Sequence, residues 1–181
     1  MTRRLAARRG AAALLSVLSA VFAAPGASAA TSPRCASEAH RQFDFWAGDW
    51  DAYGLDEGGK LVGRARVEVI LDGCAILETY DQLDGLSGRS FSIYDASRGV
   101  WHQSWVTNRG QLLLLEGRFQ DGRMVLTGTD RRGDGRAPLI RGAWSRAEGG
   151  VRETAETSED NGRTWKPFFD ILFKPHPPAA K

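Results

Sequence analysis

This chain has little of what most catalytic and metal-binding proteins use. It holds two cysteines and three histidines. His40, His102 and His176 stand far apart with no ligand spacing, so a zinc centre, which gathers several nitrogen or sulfur ligands, is not expected. No serine lies in a Gly-x-Ser-x-Gly context, the strained turn that exposes a hydrolase nucleophile. No sign of charge dominates: 24 basic residues face 22 acidic ones, a net charge of +2. A nucleic-acid partner, which wants a clustered basic face, is therefore not expected either. No apolar run reaches the about 20 residues that a spanning helix needs. No cofactor is implied by any motif.

What is present begins with an address. Residues 1–29 have the three parts of a secretory signal peptide. Arg3, Arg4, Arg8 and Arg9 form a basic start, Ala11 to Ala24 an apolar stretch, and Ala27-Ser28-Ala29 a small-residue cleavage site. Removing that leader takes away four arginines and leaves 20 basic against 22 acidic residues, a balance of −2. The expected mature protein starts near Ala30, in the periplasm or the extracellular medium. It divides into an N-terminal segment with a short helix (30–42), one domain (43–176) and a tail (177–181).

Both cysteines lie in the exported part. An even count in an oxidising compartment favours a disulfide between Cys35 and Cys74. It would close a loop of about 40 residues, worth about 4 kcal/mol on chain entropy. Cys35 lies too far beyond the apolar stretch to read as a lipid anchor.

The chain is organised around Phe43-Asp44-Phe45-Trp46-Ala47-Gly48-Asp49-Trp50-Asp51. Four rings within eight positions bury a large area and suit a core-forming opening strand. Gly48, between two rings, lets a ring or backbone approach closely. Gly48-Asp49-Trp50 resembles the Gly-x-Trp signature of the first strand in lipocalin-type (calycin) barrels. The longer string resembles a family of small bacterial secreted proteins related to the DUF1579 group. The resemblance implies a lipocalin-like barrel.

The residues themselves reach a similar architecture. Downstream, short apolar-alternating runs follow one another with turn signals between. Lys60–Leu71 places Ala65, Val67, Val69 and Leu71 on one side and Arg64, Arg66 and Glu68 on the other, the period of a half-buried strand. Asp121-Gly122 and Asn161-Gly162 are strong hairpin signals, because such turns need positive φ. Ten strands are counted. None of the connections can hold a crossover helix, so parallel pairing is excluded. A closed barrel or a two-sheet sandwich could bury such a sheet; the Gly-x-Trp resemblance and the nearest-neighbour connectivity favour an all-β, about ten-stranded antiparallel up-and-down barrel as the expected fold.

Several motifs could carry more. Ser158-Glu159-Asp160-Asn161-Gly162-Arg163-Thr164-Trp165 matches an Asp-box, expected here as a structural hairpin. On the strand Trp101-His102-Gln103-Ser104-Trp105, the two rings and the amide share one face, either as cavity lining or as core. Glu78 shares a face with Ile76 and Tyr80. If that face points inward, the carboxylate must be paired or protonated, with Arg141 and Arg152 as available partners; if outward, it is merely solvated. Leu112-Leu113-Leu114-Leu115 breaks the alternation, so two leucines must face away from the core. The N-terminal helix or a homodimer interface is their expected cover.

The leading expectation is a non-enzymatic barrel that binds a small, largely apolar molecule. Its candidate site residues are Trp50, Glu78, Tyr80, Trp101, Gln103, Trp105 and Arg141. Trp50 is expected toward a closed end. Two alternatives stand beside it: an enzyme using Glu78 as acid or base in the same cavity, and a filled barrel serving structure or interaction.

Overall fold

Residues 35–178 are described by the computed structural model; the expected signal peptide, the start of the N-terminal segment and the end of the tail lie outside them. A short helix, α1 (Glu38–Arg41), follows Ser37 and leads into one 3₁₀ turn over Asp44–Trp46. Ten strands follow: β1 (Gly48–Gly54), β2 (Lys60–Ile70), β3 (Ala75–Gln82), β4 (Ser87–Asp95), β5 (Val100–Thr107), β6 (Leu112–Gln120), β7 (Arg123–Thr129), β8 (Leu139–Ala147), β9 (Gly150–Ser158) and β10 (Lys166–Pro175). Each pairs antiparallel with its sequence neighbours, and β1 pairs with β10 from Trp50 opposite Pro175 to Gly54 opposite Ile171. The sheet thus closes into an up-and-down barrel with no free edge.

The turns follow from local chemistry. Asp121 and Gly122 alone link β6 to β7, with φ of 50° and 76°, the paired positive values of a type I′ hairpin. Asn161 and Gly162 also take positive φ in the Asp-box loop. There Asp160 accepts hydrogen bonds from the Thr164 amide and hydroxyl at 2.8 and 2.7 Å. The Ser158 hydroxyl accepts from the Gly162 amide, and the Trp165 indole donates to the Gly162 carbonyl. These bonds hold the loop, so β10 begins only at Lys166.

One end of the barrel is plugged. Phe43 to Trp46 are not part of β1; they form the turn before it, and Phe43 and Trp46 are fully buried. Trp46 stacks on Trp50 at 6.0 Å and meets Phe173 edge-on at 4.6 Å, while Phe43 meets Trp101 and Trp144. Gly48 is required here: a Cβ would lie 2.4 Å from the Trp50 ring. Each fully buried ring of this kind contributes about 1.5–3 kcal/mol through area alone.

The N-terminal segment is fastened to this end. Cys35 and Cys74 form a disulfide across 39 positions. Beside it, Arg41 pairs with Asp44 and donates to the carbonyls of Cys35 and Gly73. Such a bond belongs to an oxidising compartment.

Two expectations about the outer surface change. Along β2, Ala65 and Val67 are buried, but Val69 and Leu71 lie exposed at the strand's end, beyond the packed interior. In β6, Leu113 and Leu115 point inward, and Leu112 and Leu114 outward. The helix does not cover them: it packs near β4, and both leucines remain about half exposed. They share the outer face with Phe91 and Val106, because Leu114 pairs with Ser104, Ser104 with Phe91, and Leu112 with Val106.

Candidate functional site

Strand alternation decides which side chains meet inside the barrel. On β3, Ile76, Glu78 and Tyr80 are all buried, which places the carboxyl group in the interior. On β5, Trp101, Gln103 and Trp105 also turn inward, while His102 and Ser104 lie on the outer face, joined at 2.9 Å. These two strands, with β6 and β8 to β10, wall a cavity of about 350 Å³. It reaches the surface near the β1–β2 turn, where the exposed Asp56 and Glu57 border it.

The expected site residues divide along the barrel axis. Glu78, Tyr80, Gln103 and Trp105 line the cavity. Trp105 lies against bare backbone, since a Cβ on Gly88 would stand 2.1 Å from its ring. Trp101 does not reach the cavity. It packs on Phe43 and donates its indole N–H to Gln42 at 3.3 Å. Trp50 likewise belongs to the plug, where its indole N–H donates to the Trp46 carbonyl.

Arg141 must be corrected. It lies between the inward-facing Ile140 and Gly142 and therefore faces out. There it binds Glu156 at 2.7 Å and lies 4.0 Å over the Trp165 ring. Arg152, the other partner considered for Glu78, is also outside, bound to Asp170 through its Nε at 2.7 Å. Neither can neutralise Glu78.

Glu78 is instead held by neutral groups. The Ser90 hydroxyl donates to Glu78 Oε2 at 2.8 Å and accepts from the Gln103 amide at 3.3 Å. Burial raises the Glu78 pKa from 4.5 to about 7, and the Ser90 bond only partly opposes the rise. The arrangement keeps an acid that exchanges its proton near neutrality.

Sequence reasoning did not single out its counterpart, Glu153. This residue sits on β9, across the barrel from β3, and lines the same cavity. It lies deep in the protein, yet it touches the open chamber and so retains some exposure. Burial pushes its pKa well up, and the Glu78 charge pushes it further. The Trp144 indole, its cross-strand neighbour, acts weakly the other way. Even so, the buried Trp144 N–H closes no hydrogen bond of ordinary geometry. A signal was available: Val151-x-Glu153-x-Ala155 repeats the pattern of Ile76-x-Glu78-x-Tyr80, an acid between apolar residues on one strand face.

Burial and both carboxylates also raise the Tyr80 pKa, so its phenol stays protonated. Among the described residues, no group of three or more His, Cys, Asp or Glu side chains could hold a metal ion. The chamber offers two acids, a phenol, an amide and aromatic walls. Such a set can orient a small molecule or move a proton.

No family model matches the chain, and no curated protein matches its sequence. The fold and the cavity therefore carry the functional argument.

Proposed function

We propose that this is an exported lipocalin-like protein that binds a small, largely apolar molecule inside its barrel. The observation that carries the reading is the cavity of about 350 Å³ in a barrel whose other end is packed with rings. Pockets of this size, mostly apolar with a few convergent polar groups, are the usual form of small-molecule sites. Export is supported by the leader-like residues 1–29 and by the Cys35–Cys74 bond. Kinship with the DUF1579 group is proposed on the Phe43–Asp51 string alone.

Fluorescence titration tests the binding. The neutral apolar probe N-phenyl-1-naphthylamine should brighten on entering the barrel and quench tryptophan emission. Trp105→Ala should weaken it several-fold, whereas Trp165→Ala, in the Asp-box hairpin, should leave it unchanged. Equal effects from both substitutions would remove the cavity as the site.

A second reading is favoured by one observation, the Glu78 carboxyl with its pKa near 7 beside open space. A group so tuned suits general acid–base work at neutral pH. On this reading the same cavity is an active site, with Glu78 as the acid or base.

A further inference from the structure

The polar groups of the cavity are one-sided. Among the described residues its lining includes four carboxylates, Glu78, Glu153, Asp56 and Glu57, and no lysine, arginine or histidine. The arginines nearest in sequence to Glu153 and across the sheet are engaged outside, Arg152 with Asp170 and Arg141 with Glu156. Glu78 is 7 % exposed and accepts one hydrogen bond, at Oε2; its Oε1 accepts none among the described residues. Carboxylates walled by low-dielectric side chains focus their field into the space between them.

The aromatic lining adds attraction of the same sign. Tyr80, Trp105, Trp144 and Phe173 border the chamber, and aromatic faces attract cations, most strongly where water is scarce. Trp144 is 3 % exposed, and among the described residues its indole N–H closes no hydrogen bond of ordinary geometry. That donor sits cross-strand from Glu153. It suits a carboxylate that becomes anionic when a positive group arrives.

We propose that the cavity takes a protonated amine carried on a small apolar body, with the ammonium group between Glu78 and Glu153 and the body against the rings. This rests on the binding role proposed above and names its ligand class. Without ligand, burial raises the pKa of both carboxyls, and the Glu78 charge raises that of Glu153 further. An ammonium ion replaces the missing countercharge, so its binding releases proton to solvent. The groups facing the pair are Tyr80 on β3, Ser90 on β4, Gln103 on β5 and Trp144 on β8, with Asp56 and Glu57 at the mouth. None of these is basic, so among the described residues no cation competes for the site.

Three probes with one apolar body and different heads test the idea: octylamine, octan-1-ol and octanoate, followed by isothermal titration at pH 5.5 and 8.5. The amine stays protonated at both pH values. Octylamine should bind at least tenfold tighter than octanol at pH 8.5, and this preference should shrink at pH 5.5. Octanoate should bind weakest at pH 8.5. Glu153→Gln and Glu78→Gln should each cut octylamine affinity about tenfold and lower octanol affinity by a much smaller factor, with circular dichroism confirming the barrel. Octanol or octanoate binding as tightly as the amine in the native protein would overturn the amine assignment while keeping a binding cavity. Failure of all three probes to bind would overturn the binding role itself, and the amine assignment with it.

Discussion

Trp101 and Trp105 lie four residues apart on the same face of β5, yet they belong to different halves of the molecule. Trp101 is sealed at the plugged end against Phe43, with its N–H bonded to Gln42. Trp105 borders open space beside Gln103 and the Glu78–Ser90 pair. The difference comes from chain outside the sheet. The segment before β1 folds into one mouth and fills it, and among the described residues nothing equivalent enters the other. Alternation chooses which side chains face inward. Whether they become core or cavity depends on what arrives from elsewhere in the chain.

Removing a ring at each end should separate the halves most sharply. Trp46→Ala is expected to cost about 3–5 kcal/mol, the range for truncating a large buried aromatic in a packed core. Trp105→Ala, against an existing cavity, should cost clearly less. Urea unfolding followed by circular dichroism gives both values; comparable losses would mean that the open half is as tightly packed as the plug.

The open half should also carry the pH dependence. The ordinary Glu78 value is 4.5, and burial in the fold raises it to about 7. Between those values the folded protein keeps a proton that the unfolded chain has released. Stability from this group is therefore full below about 4.5 and lost as pH rises through about 7. At 1.36 kcal/mol per unit, the loss is on the order of 2–3 kcal/mol between pH 5 and 8. Glu78→Gln should make the fall shallower and leave Glu153 as the remaining contributor. An unchanged slope in that variant would assign the effect to other groups.

The smallest effect is expected at the hairpin, which belongs to neither interior. Asp160 accepts bonds from Ser158 and Thr164, so Asp160→Ala should cost about 1–3 kcal/mol. Probe affinity at the cavity should not change. A selective loss of binding with stability intact would show the hairpin to be part of the site.

The strands were legible because period-two alternation and the Asp-Gly and Asn-Gly turns are local signals; the short connections then left antiparallel neighbours as the economical pairing. The disulfide was legible from the even cysteine count and the expected export. Other features were not. The Trp101–Trp105 face could be read as core or as lining, because sequence gives the face but not the depth of filling. The two outward leucines of β6 were evident from the broken alternation, whereas their exposure depended on where the helix docked.

The number of strands, their order, their turns and the set of residues sharing each face follow from the amino-acid order, because these depend on interactions between near neighbours in the chain. Tertiary structure decided the phase of those faces and the contacts across the barrel. Arg141 and Arg152 looked like partners for Glu78 until closure turned them outward. Glu153 became its counterpart because closing β1 against β10 brings β9 to the far wall from β3. A pairing across 75 positions has no local signature: it exists only because the sheet curls through a full circle and leaves both acids lining the same cavity.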